Sequence, residues 1–162
     1  MFRRLFPKQI DNNYRGYRFA IWLLVLLLLF KTSISVNAVG WNPLMTSGAV
    51  LQAADRIPLD TFGTNAADTA ILLFAVWGVT HLVLNVLGFV AVVRYRAMIP
   101  LIYLLMVIDH IGRKGASDTF PIVRTPLIGT DVDVPVNLII IALLLIGFGM
   151  SLMVPRRREG TA

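Results

Sequence analysis

Four ionisable side chains interrupt apolar stretches of this 162-residue chain and are its first candidates for chemistry. They are Lys31, His81, Asp109 and His110, and the amide of Asn85 follows one helical turn after His81. Ionisable groups in apolar segments are costly and rare, so they indicate a buried ion pair, a proton path or a ligand site. The choice among these roles depends on the segments that hold them.

The composition is that of an integral membrane protein. Hydrophobic residues make up 57% of the chain and charged residues 15%, against roughly a quarter charged in ordinary soluble domains. So many apolar residues exclude intrinsic disorder, and a core of this size could not bury them all. The net charge of +6 lies in residues that flank apolar stretches, which argues against a nucleic-acid partner. With no cysteine, thiolate catalysis and cysteine-ligated metals are excluded.

Four apolar segments are long enough, or nearly so, to cross the hydrocarbon core, which takes about 20 residues. We predict spans at residues 19–39, 69–93, 97–112 and 136–154. The third is short and suffices if Arg113 and Lys114 extend outward to the headgroups. The fold class is therefore predicted as all-α: a single polytopic membrane domain with a four-transmembrane-helix bundle.

Basic residues set the predicted orientation. Ten of the 15 lysines and arginines lie in segment 1–18, in the turn at 94–96 or in the tail at 155–162. The positive-inside rule places these segments in the cytoplasm, with loops 40–68 and 113–135 on the outer side. We therefore expect both termini inside a bacterial inner membrane. An alternative stays open, in which residues 19–38 belong to a signal peptide cleaved before Val39.

The ionisable residues share a predicted depth. Lys31, His81 and Asp109 each lie 13 residues from the basic residue at the inner end of their span. At 1.5 Å per residue, each would stand roughly 20 Å from the inner boundary. We therefore predict one intramembrane polar layer shared by three helices, with the members Lys31, His81, Asn85, Asp109 and His110.

Small residues follow the polar ones at helical spacing. In the second span they share one helical face with His81 and Asn85, and in the fourth they form a pair four residues apart. Such residues let helix backbones approach closely in lipid. The predicted packing residues are Ala75, Gly78, Gly88, Gly147 and Ser151. The same faces would suit self-association or another membrane protein.

The favoured function is a non-enzymatic scaffold or accessory subunit of the bilayer, in which Lys31 and Asp109 form a structural clasp. Adjacent residues of a helix point about 100° apart, so we do not expect Asp109 and His110 to face each other. No activated nucleophile accompanies them. We therefore assign no catalytic, cofactor or metal-binding residues, and lean against an enzyme.

Two other functions stay open. One is a small proton- or ion-coupled carrier or channel that uses Asp109 with His81 and His110. The other, ranked lower, is a haem- or quinone-binding membrane protein, since the two histidines have similar predicted depths on neighbouring helices.

The first outer loop contains local signals of order. Ser47 is predicted to cap a short helix over residues 47–55, and Asn65 with Asp68 resembles a capping box. Residues 56–62 form either a docking surface or an ordered connector, and we favour the connector.

Overall fold

The computed structural model describes residues 5–7, 9–121 and 136–153. Within these ranges the regular secondary structure is entirely helical, which confirms the all-α class. The helices are α1 (Arg18–Val39), α2 (Ser47–Asp55), α3 (Thr64–Arg94), α4 (Ile99–Thr119) and α5 (Val136–Leu152). Short 3-10 turns at Leu59–Thr61 and Arg96–Met98 precede α3 and α4.

Two of these helices, α1 with 22 residues and α3 with 31, are long and apolar enough to cross a membrane. The apolar part of α5, Leu138–Leu152, is shorter. Helix α3 begins at Thr64, ahead of the predicted span, and α4 continues to Thr119, well past residue 112. Hydropathy marks where apolar residues end, whereas backbone hydrogen bonding continues into polar residues. Predictions for residues 122–135 and 154–162 lie outside the described residues.

Helix α1 ends at Gly40 because the backbone there turns left-handed, with φ +79°. The amide of Gly40 donates to the Asn37 carbonyl and the amide of Trp41 donates to the Val36 carbonyl. This pair of bonds is a Schellman motif, which satisfies carbonyls at a helix end and favours glycine. The apolar run of the first span therefore stops where a glycine permits the turn.

The cap of α2 differs from the prediction by one residue. Thr46 is the N-cap, and its hydroxyl accepts a hydrogen bond from the Ala49 amide at 3.2 Å. Ser47, which was predicted to cap, instead donates its hydroxyl proton to the Ala38 carbonyl at 2.7 Å. That contact ties the start of α2 to the end of α1, which local sequence could not indicate.

The chain divides into two compact units. Of the described residues, the terminal unit comprises 5–7, 9–27, 87–112 and 136–153, and the central unit comprises 28–86 and 113–121. In the central unit, Val50, Leu51 and Leu59 pack against Ala38 and Phe74. This cluster packs the first loop against α1 and α3.

In the terminal unit the central side chain is Tyr103 of α4, which is fully buried. Its hydroxyl donates to the Ala20 carbonyl of α1 at 2.7 Å. Its ring lies against Gly147 of α5, so closely that a Cβ at position 147 would overlap it. One residue therefore joins three helices, and the glycine provides the space for its ring.

The helices expose many large apolar side chains and bury a few polar ones. Trp22 is 72% exposed, whereas Lys31 is 4% and Asn85 is 1% exposed. Between residues 72 and 93 of α3 the large exposed residues are all aliphatic: Leu72, Leu73, Val76, Val79, Val83, Val86, Leu87, Val90 and Val93. Soluble proteins normally show the opposite distribution.

The contact between Tyr103 and Gly147 makes a testable prediction. Gly147→Ala forces the Tyr103 ring to move and is expected to destabilise the protein by about 1–3 kcal/mol, as overpacking does. Gly149→Ala is the matched control, because no described atom lies within 4 Å of a Cβ built there. Thermal unfolding in detergent measures both. Equal melting temperatures for the two variants would contradict the assigned packing.

Candidate functional site

The central unit buries a group of polar residues that α1 and α3 contribute. Lys31 and Ser35 come from α1, and His81 and Asn85 from α3; each is at most 4% exposed. The Ser35 hydroxyl donates to the Lys31 carbonyl at 2.8 Å, one turn back along the helix. In an apolar setting a hydroxyl commonly bonds its own backbone in this way.

A glycine brings the two helices together at this group. A Cβ built at Gly78 would lie 2.9 Å from the Cβ of Ala38 and 3.1 Å from the Ser35 carbonyl oxygen. The α3 backbone therefore touches α1 directly. Of the predicted packing residues, Gly78 and Gly88 are buried and Ala75 is half-buried, while Gly147 and Ser151 of α5 are buried in the terminal unit.

Asn85 and Ser35 are the least exposed members of the group, each 1% exposed. Neither the nitrogen nor the oxygen of the Asn85 amide has a hydrogen-bond partner among the described residues. A buried amide in this condition costs roughly 1–3 kcal/mol. Asn85 is therefore the polar group of this site with the most bonding capacity left.

Trp77 is the residue that sequence analysis missed. Its ring stacks on Phe74 at 5.3 Å between centroids, and the His81 ring lies 4.4 Å away. The guanidinium of Arg113, from α4, lies 4.2 Å from the Trp77 centroid, which is a close cation–π contact. The spacing of Phe74, Trp77 and His81 by three and four residues was the available signal for a shared face.

Arg113 therefore differs from its predicted role. Sequence analysis expected it to extend to the headgroups, whereas its side chain is half-buried over Trp77. The neighbouring Lys114 is exposed and pairs with Asp118 one turn further along α4. Arginine suits the aromatic contact because its planar guanidinium is weakly hydrated.

Asp109 and His110 lie in the terminal unit, and the expectation that their side chains do not face each other was wrong. His110 Nδ1 lies 3.4 Å from Asp109 Oδ2, although adjacent helical side chains diverge. The ends of the two side chains turn toward each other by rotation about their own bonds. His110 is 6% exposed and Asp109 is 23% exposed, so the contact is largely shielded from solvent. The Lys31–Asp109 pair stays a prediction.

The part of the chain that the structure describes contains no cluster of three or more His, Asp or Glu side chains able to hold a metal ion. The Asp109–His110 contact can exchange a proton or hold an ion pair when the imidazole is protonated. These are the two chemical operations that the buried ionisable groups of the terminal unit support.

A second site lies in the terminal unit, at the start of α1. The segment before α1 folds back: the Ala97 amide donates to the Asp11 carbonyl at 3.2 Å, and the Tyr17 amide donates to the Met150 carbonyl at 3.2 Å. Beside the folded-back segment lies an open cavity of about 320 Å³. Its lining residues are Pro7, Gln9, Asp11, Asn13, Tyr14, Arg15, Gly16, Ala97, Pro100 and Ser151.

Tyr14 forms one wall of this cavity. Its hydroxyl donates to the Tyr17 carbonyl at 3.2 Å, and burial raises the pKa of the phenol to about 12. The phenol therefore stays protonated even at an alkaline pH at which an exposed tyrosine would ionise. Gly16 packs so closely that a Cβ there would lie 2.5 Å from both the Tyr14 hydroxyl and the Ser151 carbonyl oxygen, which leaves room only for glycine.

Comparison with known proteins adds no further constraint. No family model matches the chain, and no curated protein or solved structure matches it. The functional argument therefore depends on the residues and their geometry.

The contact between Arg113 and Trp77 predicts an asymmetric response to charge removal. Arg113→Gln is expected to destabilise the protein by about 0.5–2 kcal/mol, the range of a partly desolvated cation–π contact. Lys114→Gln removes only an exposed ion pair and should change stability by less than about 1 kcal/mol.

Thermal unfolding in detergent measures the two variants side by side. The fluorescence of a Trp77-only variant, with Trp22 and Trp41 replaced by Phe, should shift with Arg113→Gln and not with Lys114→Gln. An unchanged spectrum in both would contradict the contact.

Proposed function

We propose that this chain is an integral membrane protein that acts as a non-enzymatic scaffold or accessory subunit within the bilayer. In this proposal α1, α3, α4 and α5 cross the bilayer, with both termini in the cytoplasm of a bacterial cell. Its partners are the lipid bilayer and either a second copy or another membrane protein.

The observation that carries the proposal is that large apolar side chains are exposed on the helices while several polar side chains are buried. Water-soluble monomers rarely expose apolar patches larger than a few hundred Å². Along α3 every large exposed residue from Leu72 to Val93 is aliphatic, while His81 and Asn85 are buried. This distribution has low free energy when hydrocarbon surrounds the helix and high free energy in water.

The orientation is supported by charge. Segment 1–18, residues 94–96 and the tail contain most of the basic residues, and such residues accumulate in cytoplasmic loops. The exposed aromatic residues Tyr17, Phe19 and Trp22 at the start of α1 agree with a membrane–water interface there.

The structural role is supported by how the polar side chains bond. Tyr103 bonds the backbone of α1, and Ser35 bonds the carbonyl of Lys31. Arg113 covers the face of Trp77. These interactions join helices or complete a helix's own hydrogen bonding, which is the work of a scaffold.

Orientation can be measured directly because the chain has no cysteine. Single cysteines at Gln9 and Thr161 should react with a membrane-impermeant maleimide only after cells are permeabilised. Cysteines at Thr61 and Asp118 should react in intact cells. An alkaline carbonate wash should leave every variant in the membrane fraction.

Two outcomes would contradict the proposal. Release of the protein by carbonate would show that it is not integral to the membrane. Labelling of Gln9→Cys in intact cells would reverse the orientation.

The polar layer supplies a second test. If Lys31 and Asp109 pair as the sequence predicts, Lys31→Met and Asp109→Asn should each lower the melting temperature in detergent, and the double variant should recover part of the loss. Removing one partner of a buried pair typically costs about 3–5 kcal/mol. Strictly additive losses, or two fully stable single variants, would contradict the clasp.

A proton-coupled carrier is the second candidate, favoured by the contact between Asp109 and His110. An imidazole beside a carboxylate in a membrane span is a proton-transfer pair. Purified protein in vesicles with an imposed pH gradient distinguishes the two functions. The scaffold predicts no proton flux above empty vesicles, whereas the carrier predicts flux that Asp109→Asn removes.

A further inference from the structure

The cavity at the start of α1 has a lining that neither the scaffold nor the polar layer uses. Its volume of about 320 Å³ is at the lower end of the range for small-molecule sites, roughly 300–1,000 Å³. Three parts of the chain line it: the segment before α1, the start of α4 at Ala97 and Pro100, and Ser151 in the last turn of α5.

The lining carries both signs of charge. Arg15 supplies a guanidinium and Asp11 a carboxylate, while Gln9 and Asn13 supply amides. A simple anion would be attracted by Arg15 and repelled by Asp11, and a simple cation the reverse. A ligand with a positive and a negative group a few bonds apart satisfies both side chains at once.

Hydrogen bonds and close packing hold the side chains of the cavity lining in place. The backbone N–H of Asn13 donates to Asp11 Oδ1 at 3.0 Å, which orients the carboxylate. The Tyr14 hydroxyl is held by the Tyr17 carbonyl, and Gly16 packs against Ser151. Asp11 and Arg15 are themselves solvent-exposed, so a ligand can reach them.

The position of the cavity favours a lipid headgroup as the ligand over a water-soluble molecule. The cavity is lined by the segment just before α1, the start of α4 and the last turn of α5, and Tyr17 and Phe19, which follow that segment in the chain, are exposed. In the proposed orientation this is the headgroup level of the inner leaflet. Guanidinium groups bind phosphate with two hydrogen bonds, and carboxylates accept hydrogen bonds from primary ammonium groups.

We propose that this cavity binds the headgroup of a phospholipid that carries a primary amine, phosphatidylethanolamine by chemistry, with Arg15 on the phosphate and Asp11 on the ammonium. The inference rests on the proposed function, since it places the cavity at the membrane surface. Phosphatidylcholine lacks the N–H donors for Asp11, and phosphatidylglycerol lacks the cation, so both bind more weakly.

The test uses the full chain purified in detergent, titrated separately with dioleoyl phosphatidylethanolamine, phosphatidylcholine and phosphatidylglycerol, with bound lipid counted by native mass spectrometry. The ethanolamine lipid should bind about tenfold more tightly than the other two, the contribution of one charge-assisted hydrogen bond. Asp11→Asn should remove this preference while it keeps an oxygen to accept from the Asn13 amide. Arg15→Gln should weaken all three lipids.

Two controls separate the cavity from general attraction to lipid. Arg94→Gln removes an exposed cation that lies outside the cavity lining, and Asp60→Asn removes an exposed carboxylate in the first loop. Both should keep the ethanolamine preference. A competition with soluble glycerophosphoethanolamine tests the source, and at equal concentration it should not displace the lipid.

Several results would overturn the headgroup site. One is an unchanged lipid preference in Asp11→Asn, and another is tighter binding of phosphatidylglycerol in the wild type. Displacement by soluble glycerophosphoethanolamine at equal concentration would assign the cavity to a water-soluble phosphoamine. Each of these is distinct from failure of the proposed function, because carbonate release would show the latter before any lipid is added.

Discussion

Close approach of helix backbones at glycine is the constraint on which the rest of the structure depends. At Gly78 the backbone of α3 reaches the side chain of Ala38 and the carbonyl of Ser35. At Gly147 of α5, the missing Cβ makes room for the ring of Tyr103. In hydrocarbon, helices gain little from burying apolar surface, so association depends on tight contact and internal hydrogen bonds. Both compact units are built on such a contact.

The same constraint explains where the polar chemistry lies. The buried faces hold small residues and a few polar ones beside large apolar ones, and further large aliphatic residues lie on the outward faces. Buried polar groups then complete backbone hydrogen bonding between helices, as the Tyr103 hydroxyl does for the Ala20 carbonyl. Asn85 departs from this rule, since its amide makes no hydrogen bond to the described residues. A role in helix packing and a role in ligand binding are therefore hardest to distinguish at Asn85.

Periodicity predicted the faces of the helices and could not predict their ends or their long-range contacts. The spacing of Gly78, His81, Asn85 and Gly88 identified a face that is buried along α3. Hydropathy ended the third span at residue 112, whereas α4 runs to Thr119. Arg113 reaches Trp77 from another helix, and the cavity needs Asp11 bonded to Ala97. Contacts between residues so distant in sequence produce no local sequence pattern from which they could be predicted.

The central claim is that hydrocarbon surrounds the outward faces of these helices, and Trp22 reports on it directly. It is 72% exposed, near the start of α1. A variant that retains only this tryptophan, with Trp41→Phe and Trp77→Phe, is reconstituted in vesicles whose acyl chains are brominated close to the headgroup. The account predicts strong quenching of Trp22 fluorescence by the brominated lipid and weak quenching by acrylamide in the water. Quenching by acrylamide with no effect of the brominated lipid would contradict it.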